Sequence, residues 1–122
     1  MKIYRCSICG RIEILKEGET KDLICCGKKM EELKSNSVDA SFEKHVPYCE
    51  IKDNKIYVSV GVVLHPMNED HFIMFILKVA NNEIERVDLK PGDEPKAIFN
   101  HSKGCKIFAY CNLHGLWESV IL

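Results

Sequence analysis

The chain of 122 residues has no long hydrophobic run: its longest strongly apolar stretch, residues 72–77, is only six residues. A helix that crosses a bilayer needs about 20, so no membrane span is expected. The opening Met1-Lys2-Ile3-Tyr4-Arg5-Cys6 lacks the apolar stretch that marks a secretory leader, and a cytoplasmic protein is expected. An excess of one charge is also missing. Seventeen basic against eighteen acidic residues leave a formal net charge of -1, which excludes bulk attraction to nucleic acid or to an anionic membrane surface. No window of about 12 residues carries a helical period, and there is neither an internal repeat nor a low-complexity segment. Histidine is absent before position 45. With 46% hydrophobic and 29% charged residues, the composition excludes a disordered chain, a collagen and a coiled coil.

Cysteine, by contrast, is plentiful. Seven is an odd number, so a complete intramolecular disulfide framework would leave one thiol over. Clustered cysteines in a chain without a secretory leader more often bind metal or do redox chemistry. Cys6, Cys9, Cys25 and Cys26 crowd into the first 26 residues, while all five histidines lie later. The chain therefore reads as two metal chemistries in series.

Residues 1–36 form the first module. Ile3-Tyr4-Arg5 and Arg11-Ile12-Glu13-Ile14-Leu15 read as short strands flanking Cys6-Ser7-Ile8-Cys9-Gly10, and Cys25-Cys26-Gly27 follows. Each cysteine pair is followed by Gly, the permissive residue a metal-binding knuckle needs. So short a module cannot bury enough apolar surface to fold by itself, and four thiolates around one ion supply the missing stability. Thiolate sets hold zinc and iron alike in a tetrahedron. The adjacent Cys25-Cys26 departs from the two spaced pairs of a zinc ribbon and leans toward iron, with zinc as the alternative occupant.

Residues 31–37 are polar and read as a linker; residues 37–122 form the second module. Residues 55–60 alternate, placing Ile56, Val58 and Val60 on one face. Residues 71–79 are rich in aromatic and β-branched side chains, as in a buried strand. Asp53-Asn54 and Asn81-Asn82 are hairpin-turn pairs, and residues 90–95 form a loop. Residues 106–111 and 116–121 form a last hairpin through Asn112-Leu113-His114-Gly115. The fold class is all-β, with about seven strands in a small antiparallel sandwich.

A lone histidine in a strand pattern is more often a hydrogen-bonded core or surface residue than a ligand. Here they gather. Glu43-Lys44-His45-Val46-Pro47, His65-Pro66, His71 and Cys111-Asn112-Leu113-His114-Gly115-Leu116-Trp117 sit mostly at strand-to-loop junctions, where side chains can converge at one end of a sandwich. The Cys111-X2-His114 turn brings a thiolate and an imidazole to one place. Four imidazoles and a thiolate suit a redox metal such as iron and leave an octahedral ion one open position. A thiolate opposite that position pushes electron density toward whatever binds there. Taken alone, Glu43 and Lys44 are a solvated strand end. His101 reads as exposed, Cys49 and Cys105 as small buried hydrophobes, and Trp117 as a core residue shielding the metal.

On these residues the chain resembles desulfoferrodoxin, the two-iron class of superoxide reductase, over nearly its whole length. The resemblance implies a small desulforedoxin-like, rubredoxin-type module followed by an immunoglobulin-like β-sandwich, usually as a homodimer. It implies two irons per chain: one on Cys6, Cys9, Cys25 and Cys26, the other on equatorial His45, His65, His71 and His114 with Cys111 axial. Glu43 would cover the open position in the resting oxidised state, and Lys44 would attract the anion. The implied reaction joins superoxide, one electron and two protons into hydrogen peroxide, a detoxification, with rubredoxin or a similar small carrier as donor. Two rival classes are a rubredoxin-like electron carrier with structural histidines and a zinc-stabilised interaction module. The Cys111-X2-His114 motif with its three further histidines argues against both.

Overall fold

The structure, a computed structural model, describes residues 1–36, 45–61 and 65–122, and twelve strands lie among them. The chain divides into two compact units, Met1–Lys34 and Ser35–Leu122. In the first, β1 (Lys2–Arg5) lies between β2 (Ile12–Leu15) and β5 (Glu31–Glu32), both antiparallel to it. A separate minimal hairpin pairs β3 (Ile24–Cys25) with β4 (Lys28–Lys29). The buried apolar side chains here are Ile3, Leu15, Met30 and Cys6. That is a very small core, and a fold of this size needs another source of stability.

The second unit is a sandwich of two antiparallel sheets. One has the order β10 (Lys96–Asn100), β7 (Lys55–Val60), β6 (Pro47–Lys52). The other runs β12 (Gly115–Glu118), β11 (Lys106–Cys111), β8 (Ile73–Ala80), β9 (Glu83–Asp88). Alternation along β7 sends Ile56, Val58 and Val60 into the interior, where they meet Ile76, Ala97, Phe99, Ile107 and Ala109. Two hairpin turns are built as the sequence expects. Asp53 and Asn54 take φ of 52° and 62°, and Asn81 and Asn82 take 49° and 61°, the left-handed pair that matches strand twist and that Asn and Asp tolerate.

Strands β6, β9 and β10 carry little sequence signal because each is at a sheet edge, where solvent meets one flank and polar residues are tolerated. The last strand is shorter than its apolar pattern suggests. It ends at Glu118, and Val120 and Ile121 are exposed. His101 is half-buried rather than exposed, because the chain end folds back: Leu122 N donates to Cys105 O at 2.8 Å, and His101 Nε2 meets Leu122 O at 3.1 Å. Ser35 and Asn36, within the expected linker, are tied to β12. Ser35 Oγ donates to Glu118 Oε1 at 2.6 Å, and Glu118 N donates to Asn36 Oδ1 at 2.9 Å.

Candidate metal centres

The first centre is assembled by two tight turns. After β1 the chain reverses through Cys6-Ser7-Ile8-Cys9-Gly10, closed by Gly10 N donating to Cys6 O at 2.9 Å and Cys6 N donating to Arg11 O at 2.9 Å. Gly10 sits at φ 80°, which an L side chain rarely adopts. Cys25 is the last residue of β3, whereas Cys26 begins the turn at φ 55°. That break in backbone direction lets two adjacent cysteines share one site.

The sulfurs lie 3.5 Å apart for Cys9 and Cys25 and 3.9 Å apart for Cys25 and Cys26. A tetrahedron with metal–sulfur bonds of about 2.3 Å has an edge of about 3.8 Å, so the spacing fits one four-thiolate ion. The backbone N–H groups of Cys9 and Ile8 hold the Cys6 thiol down at about 6, so it presents a thiolate. Crowding by the Cys9, Cys25 and Cys6 sulfurs raises Cys26 to about 12. A cation at the centre reverses that logic and deprotonates coordinating thiols outright.

The second centre is at one end of the sandwich. His45 precedes β6, His65 follows β7 with its N donating to Val60 O at 3.2 Å, and His71 precedes β8. Cys111 ends β11, and His114 lies in the turn before β12. The four imidazoles form a square. Going round, centroid separations are 4.7 Å for His45–His65, 4.7 Å for His65–His71, 5.0 Å for His71–His114 and 4.8 Å for His45–His114, with each neighbouring pair edge-on. The diagonal His45–His71 is longer, 6.4 Å, and its rings are 27° from parallel.

Donor atoms of the four histidines and Cys111 all lie within 4.8 Å of one another. His45 Nε2 and His114 Nδ1 are 3.0 Å apart, the span of two bonds of about 2.1 Å meeting at a right angle. His65 supports the fit most directly. Its Nδ1 lies 2.6 Å from Pro66 O, and its Nε2 is buried with no hydrogen-bond partner. The carbonyl fixes the tautomer and leaves the Nε2 lone pair for a metal, while burial pulls the imidazole down to about 4, so it is neutral near pH 7. The thiol of Cys111 is raised by burial, against N–H groups of His114 and Leu113 that lower it.

Every metal-ligating residue expected from sequence is in one of these two clusters. Glu43 and Lys44 lie outside the described residues. Trp117 is fully buried, stacks on His45 at 5.0 Å and donates from Nε1 to the backbone carbonyl of His114 at 3.0 Å, so it braces one ring and the turn that carries another. Asn112 is a residue that sequence reasoning passed over. Its amide bonds to the segment carrying His71, and its only sequence signal is its place inside the Cys111-X2-His114 turn.

Residues 37–120 match the family model described as Desulfoferrodoxin, and residues 1–33 match the one described as Desulfoferrodoxin, N-terminal domain. A desulfoferrodoxin from Syntrophotalea carbinolica is 48% identical over 120 residues, covering 98% of this chain and 95% of the relative. A superoxide reductase from Thermococcus kodakarensis is 35% identical over 106 residues, covering 70% and 91% respectively. The crystal structure of the superoxide reductase from Treponema pallidum has a TM-score of 0.75 and 24% identity, covering 97% of each chain; at that identity the likeness speaks for the fold.

Proposed function

The chain belongs to the desulfoferrodoxin family, and from that premise we propose how its residues divide the work of a superoxide reductase. The reaction is the one-electron reduction of superoxide to hydrogen peroxide. The observation that carries it is the square of four imidazoles with the Cys111 thiol among their donors. Iron held by this set supplies the electron, and the four cysteines of the first unit hold a second iron.

Cys111 is fully buried, whereas His71 and His114 are partly exposed. The iron would be held by the Cys111 thiolate from the buried side, with the partly exposed His71 and His114 nearer the solvent from which superoxide arrives. His65, locked by the Pro66 carbonyl and kept neutral by burial, holds its lone pair ready without first losing a proton. Solvent reaching the partly exposed His71 and His114 would supply the two protons. Lys44, next to His45 in sequence, draws the anion in. Glu43, two residues before His45 in sequence, would offer its carboxylate as a further ligand to oxidised iron.

The enzyme is proposed to reduce superoxide without also oxidising it. Rubredoxin or a similar small carrier is the proposed donor, and the assembly is proposed to be a homodimer, to be checked by sedimentation. All seven cysteines are free, which supports the reducing cytoplasm as its place of work.

Pulse radiolysis of the reduced, iron-loaded protein tests the reading. One peroxide per superoxide and no dioxygen is expected; a dismutase would give half that peroxide with dioxygen, and would sink it. A unit charge pair 4 Å apart gains roughly 1 kcal/mol in water and more near a low-dielectric surface. Lys44→Ala should therefore slow capture on the order of tenfold and flatten its dependence on salt. An unchanged rate and salt slope would reduce Lys44 to a solvated neighbour of His45.

A further inference from the structure

Hydrogen bonds converge on both sides of His71. Phe72 N donates to Asn112 Oδ1 at 2.9 Å, Asn112 Nδ2 donates to Asp70 O at 3.0 Å, and Asn112 N donates to Phe72 O at 3.2 Å. Asp70 and Phe72 are the two residues that flank His71. His71 meanwhile closes its own turn: Asn68 N donates to His71 O at 2.9 Å, and His71 N donates to Asn68 O at 3.2 Å. The backbone of this segment is held at every one of these groups, and of the three bonds from Asn112 two belong to its side chain and one to its main-chain N–H.

We propose that Asn112 is a positioning residue: it fixes His71 relative to Cys111 and His114, so that three of the five donors are held as one body before any ion arrives. Only a side chain with a donor and an acceptor on one short planar group can take both Phe72 N–H and Asp70 C=O. Aspartate keeps the acceptor and loses the donor; alanine loses both. The equivalent place in the first knuckle, Cys6-Ser7-Ile8-Cys9-Gly10, holds the exposed Ser7, a single hydroxyl. His65 is oriented independently, by the Pro66 carbonyl, so Asn112 acts on one ligand and not on the set. Outer groups that orient a metal-bound imidazole typically contribute 10- to 100-fold to metal affinity.

The inference rests on the reading of this cluster as an iron site. If the parent protein takes up no iron there, that reading fails as a whole; the comparison below concerns Asn112 alone. The full-length, iron-loaded protein is challenged with a ferrous chelator, and release is followed separately for the two centres. In Asn112→Ala, release from the histidine–cysteine centre should be on the order of 10- to 100-fold faster, while release from the four-cysteine centre keeps its parent rate. Repeated in a His71→Ala background, the same substitution should change release less than twofold, because its effect passes through a ligand no longer there. An unchanged rate in the parent background overturns the proposal. So does an equal acceleration in both backgrounds, which would make Asn112 a general support of the sandwich. If Asn112→Ala does not fold, Asn112→Asp, which keeps the bond from Phe72 N–H, carries the same comparison with the same two outcomes.

Discussion

The thiol of Cys49, on β6, packs partly buried against the sandwich core, and burial together with the nearby Cys105 pushes it up to about 11. A thiolate is the reactive form of cysteine, and at pH 8 a group with that value is ionised in about one molecule per thousand. Alkylation of the iron-loaded protein at pH 8 should therefore leave Cys49 intact while an exposed peptide thiol reacts fully. Its rate should climb as pH approaches 11; mass spectrometry showing prompt labelling at pH 8 would contradict the burial seen here. At this scale the metal donors are legible in the sequence because thiol and imidazole carry their chemistry wherever they lie. The role of Asn112 is not, because it consists of bonds to Asp70 and Phe72, some forty positions earlier in the chain. Nor is the depressed value of His65, which depends on what surrounds it.

The β6–β7 hairpin turns on Asp53 and Asn54, both in the left-handed region. A β-branched residue in that region is strained by about 1–3 kcal/mol. Asn54→Val should lower the stability of the second unit by an amount in that range, and Asn54→Gly should leave it equal or slightly higher. Chemical denaturation would show this as a shift in midpoint; a Val variant as stable as the parent would mean that the turn relaxes freely. The turn pairs, the central strand β7 and the inner strands β8 and β11 are all evident in the sequence, since burial by neighbours demands apolar or alternating residues. Strand β9, Glu-Ile-Glu-Arg-Val-Asp, is an edge with only half-buried apolar side chains. Its pairing with β8 comes from the Asn81-Asn82 turn rather than from its own pattern. The shortness of β12 was equally hidden, because Val120 and Ile121 look like strand residues and are exposed.

The two units differ in what holds them together, and this sets different consequences for the loss of an ion. The first has four buried apolar side chains, one of them the ligand Cys6, so metal binding and folding are linked there. The second has a continuous core drawn from both sheets. Cys26→Ser should empty the four-cysteine centre and destabilise the first unit, while the second keeps its iron and most of its reaction with superoxide. Metal counts and visible spectra would decide it, and loss of both irons would show that the units depend on each other. Antibody domains fasten their two sheets with a disulfide; here every cysteine is free. His45 and His65 adjoin strands of one sheet, while His71, Cys111 and His114 adjoin or end strands of the other. An ion gripped by all five is a removable cross-link between the layers. Each tenfold gain in its affinity, with free ion in excess, adds about 1.4 kcal/mol to the resistance of the sandwich to heat or mechanical pull. A cell short of iron would then hold a softer protein as well as an idle one.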